Sequence, residues 1–150
     1  MPKIDIASAE EKRGSGYPAP FDQPCAARLR KRLGDAGSLN DFGVNLLTLA
    51  PGVWSSQRHW HSREDEFVYV LAGEVVLVTD AGEEILRTGD CAAFPKGVAN
   101  GHHLINRSDK PATCLEVGTL AENDRTDYPD LDMIFNEHVD AYTRRDGTPY

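Results

Sequence analysis

Two histidines separated by a single residue, His59 and His61, are followed by a carboxylate, Glu66, with four residues between. On an extended strand, side chains two positions apart point to the same face, about 7 Å apart along the chain. Two imidazoles on one strand can therefore converge on an ion beside it, and a carboxylate from the next strand can join them. Imidazole and carboxylate together suit one divalent transition metal, with Fe, Mn, Ni, Zn and Cu all compatible. Such an ion can polarise a carbonyl or activate water. A second histidine pair, His102-His103, follows further along the chain.

The residues around this constellation divide by parity. Gln57 has the parity of His59 and is a candidate pocket-lining residue. Trp60 has the opposite parity and reads as packing or interface. Glu64 and Asp65 read as a solvated turn, with Asp65 able to accept a hydrogen bond from a ligand imidazole. Tyr69 faces away from Glu66, and His138 reads as structural or exposed. No nucleophile with an adjacent base stands out, and no glycine-rich phosphate loop of P-loop or dinucleotide type is present.

The elements that must position these groups are short strands. Residues 42–49, 55–61, 66–71, 75–79, 84–87, 91–94, 101–106 and 113–117 are separated by turns such as Pro51-Gly52, Gly73, Asp80-Ala81-Gly82 and Pro95-Lys96-Gly97. Close, regular spacing with no helical period predicts an all-β antiparallel sandwich or barrel. Residues 1–41 carry repeated Gly and Pro and read as an N-terminal arm on the barrel or a partner, with a short helix over 26–33. Residues 42–120 form the barrel. Residues 121–150, polar apart from Leu131, Met133, Ile134 and Phe135, read as a tail wrapping it, because thirty such residues cannot bury a core alone.

Composition narrows the partners. With 24 acidic against 16 basic residues the formal charge is −8, which disfavours nucleic acid and anionic membrane surfaces. The run Arg28-Leu29-Arg30-Lys31-Arg32 reads as a solvated part of the arm, and no basic residue has inward parity beside His59, Glu66 or His102. The N-terminus lacks the apolar segment of a secretory signal, so a cytoplasmic location is expected. Three cysteines without CxxC spacing argue for reduced thiols, with Cys91 and Cys114 as small buried hydrophobes and Cys25 unplaced.

Two motifs resemble those of the cupins. Gly52, His59-Trp60-His61, Glu66 and Gly73 match the first, with six residues rather than five after Gly52. Gly89, Pro95-Lys96-Gly97, His102 and Asn106 match the second, with four residues rather than two after Gly97. The spacing to Asn106 favours His102, and the longer loop keeps His103 as the alternative. The resemblance implies a double-stranded β-helix, or jelly-roll barrel, holding one metal per chain on His59, His61, Glu66 and His102. It further implies a homodimer, and a likeness to small single-domain bacterial cupins of sugar-phosphate-isomerase-like type. A metal-dependent enzyme on a small polar metabolite, isomerase-like or dioxygenase-like, is the leading expectation. A non-enzymatic cupin that binds or senses a small ligand is the alternative.

Overall fold

The computed structural model describes residues 3–150. Among them lie thirteen strands: β1 (Glu11–Arg13), β2 (Leu29–Arg32), β3 (Phe42–Leu49), β4 (Trp60–His61), β5 (Glu66–Ala72), β6 (Glu74–Thr79), β7 (Gly82–Arg87), β8 (Cys91–Phe94), β9 (His103–Ile105), β10 (Ala112–Thr119), β11 (Arg125–Tyr128), β12 (Met133–Asn136) and β13 (Ala141–Thr143). They form a six-stranded sheet in the order β1-β2-β3-β10-β5-β8, a four-stranded sheet β13-β12-β11-β4, and a three-stranded sheet β7-β6-β9. Every pairing between these strands is antiparallel. This is the all-β architecture expected from the strand pattern, a jelly roll of separate sheets.

The inner faces carry the apolar residues. In β5, Val68 and Val70 are buried while Phe67, Tyr69 and Leu71 are exposed, the alternation a strand with one covered face requires. Leu47 and Leu49 of β3, Val68 and Val70 of β5, and Cys114 of β10 meet Val75, Leu77, Leu86 and Leu104 from the small sheet. This core fills one end of the sandwich and leaves polar side chains at the other. Gly73 turns the chain between β5 and β6 at φ +78°, and a Cβ there would lie 2.9 Å from the Pro111 carbonyl oxygen. Both the backbone sign and the close approach call for glycine.

The segments flanking the barrel contain more regular structure than their sequence suggested. The expected helix over residues 26–33 is instead β2, which pairs with β1 and β3, and the α-helix α1 begins only at Leu33 (Leu33–Ala36). The Arg-rich run has no apolar stripe of helical period, and pairing along β3 satisfies its backbone. The run is not uniformly solvated either: Arg28 is buried, donating to the carbonyls of Gly14 and Ser55. The strand expected over residues 55–61 is reduced to β4. Ahead of it the Ser55 hydroxyl accepts from Leu104 N–H, a side chain taking a place in the ladder, and His59 forms a single bridge to His102. Cys25 and Cys114 are buried, and burial pushes their thiols up to about 11 and about 12. Cys91 is exposed, contrary to its apolar context in the sequence, because it lies on the outer face of β8 opposite exposed Tyr69. No helix among the described residues is long and apolar enough to cross a membrane.

The C-terminal segment is stitched to β4, with Thr126 opposite His61 and Asp127 opposite Trp60. Buried Asp127 accepts from Arg125 and Arg145, at 2.6 and 2.8 Å. Burial alone would raise its carboxyl pKa, but the two guanidinium groups outweigh it and hold the pKa low. A lowered folded pKa makes a contribution that is complete above the ordinary Asp value of about 3.9 and is lost as pH falls through that value toward the folded one. Thermal scans between roughly pH 6 and pH 2 should therefore show Asp127→Asn less stable than the parent at pH 6, with the gap closing toward pH 2.

Candidate metal centre

Three elements bring the predicted residues together at the open end of the sandwich. His59 and His61 flank Trp60 at β4, Glu66 opens β5, and His102 immediately precedes β9. The Nε2 atoms of all three histidines face one oxygen of Glu66. His102 Nε2 lies 2.8 Å from Oε2, and His59 and His61 Nε2 each lie 3.5 Å from it. His103, the alternative in the sequence, turns elsewhere: its Nδ1 bonds the Ser56 carbonyl at 3.0 Å and its ring packs edge-on against Trp54.

The far side of each ring is tied down. His59 Nδ1 donates to the Gln57 carbonyl at 2.9 Å, and His61 Nδ1 donates to Asp124 Oδ2 at 2.6 Å. His102 Nδ1 makes a long contact, 3.5 Å, with the Asn100 carbonyl, and its ring stacks flat on Phe94 with centroids 3.6 Å apart. Carbonyl and carboxylate oxygens only accept, so these partners place the imidazole protons of His59 and His61 on Nδ1 and turn their Nε2 lone pairs inward, while His102 Nε2, 2.8 Å from Glu66 Oε2, donates to that carboxylate and would give up its proton to an ion. Three Nε2 atoms and a carboxylate oxygen then converge, with the His102 proton between two of them. That donor set fits a divalent cation.

The electrostatics favour the Glu66 anion and a neutral His102, and oppose a neutral His61. Burial opposes charge on Glu66, but His59, His102 and His61 outweigh it and hold its carboxyl well below the usual range. Burial lowers the pKa of His102, favouring the neutral ring that a metal needs. Burial also opposes charge on His61, but Asp124 and Glu66 override it and raise its pKa.

Several residues around the site depart from the sequence expectations. Asp65 does not hold a ligand imidazole; its Oδ1 accepts from Lys96 N–H. That role falls to Asp124, buried and fixed by the Arg63 backbone N–H and the Ser62 hydroxyl. Gln57 does not line the pocket, because its amide reaches back to the Phe21 carbonyl. Glu64 is turned inward rather than solvated, accepting from Ala121 N–H, and burial raises its pKa. Arg30 lines the same cavity, which corrects the expectation that no basic residue points inward. Sequence carried no local signal for Asp124; its partner lies 63 positions away. Tyr69 is on the outside and His138 is exposed, as parity and context suggested.

The histidines open onto a cavity of about 290 Å³, whose walls include Tyr17, Arg30, Glu64, Glu116, Thr126 and Tyr128. Replacing Asp124 by Asn should keep the shape but weaken the hold on His61 and its basicity. Metal affinity should fall roughly 10- to 100-fold, as measured by competition with a chromophoric chelator.

The cupin domain family matches residues 45–118, a span containing all four converging residues. A solved sugar phosphate isomerase of the cupin superfamily from Silicibacter pomeroyi is 48% identical, with a TM-score of 0.95 over 99% of this chain and 96% of that one. This chain is a cupin. It is also similar to Protein SchB from Streptomyces halstedii, 33% identical over 106 residues, 70% of either chain. A candidate sugar phosphate isomerase from Acidithiobacillus ferrooxidans is 29% identical, with a TM-score of 0.78 over 91% of this cupin and 83% of that chain. The cupin's own β1, β2 and β11 to β13 lie outside the matched domain.

Proposed function

We propose that this cupin is a metal-dependent isomerase of a small hydroxycarbonyl metabolite, with His59, His61, Glu66 and His102 as the ligands of one divalent ion. The observation that carries the reading is the convergence of three Nε2 atoms on Glu66 Oε2 while the far side of each ring faces a fixed acceptor. The name of the Silicibacter pomeroyi relative, a sugar phosphate isomerase at 48% identity, supports the reaction class.

A bound ion would supply a Lewis acid for a carbonyl and its neighbouring hydroxyl oxygen. The remaining chemistry belongs to the chain. Isomerisation removes a proton from the carbon bearing the hydroxyl and returns one to the former carbonyl carbon. Glu64 is suited to carry it. It lines the cavity, its side chain is only 18% exposed, and burial raises its pKa, which makes it a stronger base than an ordinary carboxylate. Phe94, flat against His102, keeps that ring in plane and excludes water from one side. In this reading the molecule works as the homodimer that the family likeness implies. The exposed apolar row Phe67, Tyr69 and Leu71 on the outer face of β5 is the surface to mutate in a sedimentation test.

Elemental analysis of untagged protein, followed by proton NMR of free and phosphorylated aldoses in deuterated buffer, tests the proposal. One ion per chain with exchange of the proton next to the carbonyl is the expected result. Glu64→Gln should retain the ion and lose roughly 100- to 10,000-fold in turnover. Metal content near zero, unaffected by His61→Ala, would overturn the ligand assignment. Full metal with a ligand that binds and emerges unchanged would replace the isomerase with a binding protein.

A further inference from the structure

The wall of the cavity carries a second polar surface that the metal centre does not use. Glu116 of β10 pairs with Val68 of β5 on one side and Asn45 of β3 on the other, so it shares their inward face. Arg30 of β2 meets it fork to fork, Nε to Oε2 at 2.7 Å and Nη2 to Oε1 at 2.9 Å. Both side chains are mostly covered, 28% and 21% exposed, yet both line the cavity. The pairing uses Nε and Nη2. It leaves the Nη1 amino group and the second lone pair of each carboxylate oxygen for another partner.

Space for that partner is built in. Gly118 pairs with Glu66 and with Gly43, so two residues without side chains lie across the sheet beside the metal centre. A Cβ at Gly118 would lie 3.7 Å from Glu66 Cγ, and one at Gly43 would lie 3.9 Å from the Gly118 carbonyl oxygen. Methyl groups would fit without clash, so sterics do not demand glycine here; their absence leaves the volume to the cavity. At about 290 Å³ the cavity matches the smaller ligand pockets, roughly 300 Å³ upward.

The charges decide what fits. The guanidinium groups in the cavity wall are Arg28 and Arg30, against the carboxylates Glu64, Glu66 and Glu116. Arg28 is spent, its Nε and Nη2 on the Gly14 carbonyl and its Nη1 on that of Ser55. Arg30 is neutralised by Glu116. A phosphate dianion there would be stripped of water to lie against a carboxylate, with no unpaired guanidinium among the described wall residues to receive it. A hydroxyl group donates and accepts at once, and a row of hydroxyls answers both the free amino group of Arg30 and the free lone pairs of Glu116.

We infer that the part of the substrate not held by the metal is an uncharged polyhydroxyl chain read by the Arg30–Glu116 pair, and that the site takes free sugars or polyols in preference to their phosphate monoesters. This rests on the metal-dependent reading and names the substrate class within it.

The test is calorimetric titration of the intact protein, metal-loaded and metal-free, with sorbitol and with sorbitol 6-phosphate, alongside metal analysis of the same samples. Wild type should bind sorbitol at least tenfold more tightly than the ester. Glu116→Gln, which keeps the shape and releases the charge of Arg30, should reverse the preference by at least tenfold. A wild type that prefers the ester, shows no preference, or binds neither would overturn the inference without reference to any variant, as would an unchanged ratio in a folded Glu116→Gln protein. The two readings fail separately. Protein that takes up no ion defeats the metal centre, whereas protein that holds its ion and favours the ester defeats only the polyol assignment.

Discussion

Glu66→Ala is expected to lose divalent metal by a factor of at least about 100, the largest effect on metal affinity of any single substitution in this chain. Structural zinc sites bind with roughly 10–16 kcal/mol spread over about four ligands, so one ligand is worth about 3 kcal/mol, or some two orders of magnitude. Glu66 sits above that average because its Oε2 lies within 3.5 Å of all three histidine Nε2 atoms. Without it the imidazoles also lose the carboxylate whose charge they share. Competition titration against a chelator of known affinity measures the loss. A Glu66→Ala protein that holds metal within a factor of ten of the parent would show that the ion, if bound, uses other residues. Glu66→Gln gives a control of equal volume, and it should fail nearly as badly, because an amide oxygen is a weaker ligand for these ions than a carboxylate.

The largest effect on stability should come from Asn106→Ala. Asn106 is fully buried. Its amide donates to the carbonyls of Leu49 and Lys110, at 2.8 and 2.7 Å, and its carbonyl accepts from the backbone N–H and hydroxyl of Ser108, at 2.9 and 2.8 Å. One side chain thus closes the loop between β9 and β10 and ties it to the end of β3. Alanine would leave those partners without it in a closed space, at about 1–3 kcal/mol for each group not rescued by water. A total of about 3–5 kcal/mol is expected, lowering the melting temperature of a chain this size by roughly 6–20 °C. Asn106→Asp should fare no better, since a carboxylate would face two carbonyl oxygens. Thermal and urea unfolding check both variants, and a loss under 1 kcal/mol would mean that the loop is held by something else.

How much of this was legible beforehand depended on whether the information was local. The four converging residues and Asn106 fall within two short motifs, and the side-chain period of a strand fixes which neighbours share a face. That is why His59, His61, Glu66, Val68 and outward Tyr69 could be placed from sequence. Asp124 could not, because one of 24 acidic residues carries no mark of the imidazole it will meet. Arg30 was hidden for a related reason. An arginine on an inward strand position reads as an error until Glu116, 86 positions away, is known to lie opposite. Gln57 misled because parity holds only where the chain is extended, and residues 55–58 are irregular. Glu64 looked like a solvated turn because its partner, the Ala121 N–H, belongs to a segment with no period of its own.

The pairing of Thr126 with His61 has a consequence for the order of events in folding. Residues 59–102 leave the ribosome before residue 124, so the converging imidazoles exist for a time without the carboxylate that orients one of them. The contacts that finish the centre span 63 to 65 positions, and contacts of high sequence separation form late. Nascent protein should therefore acquire its tight grip on metal only as the last strands dock, and an ion captured earlier would be free to exchange.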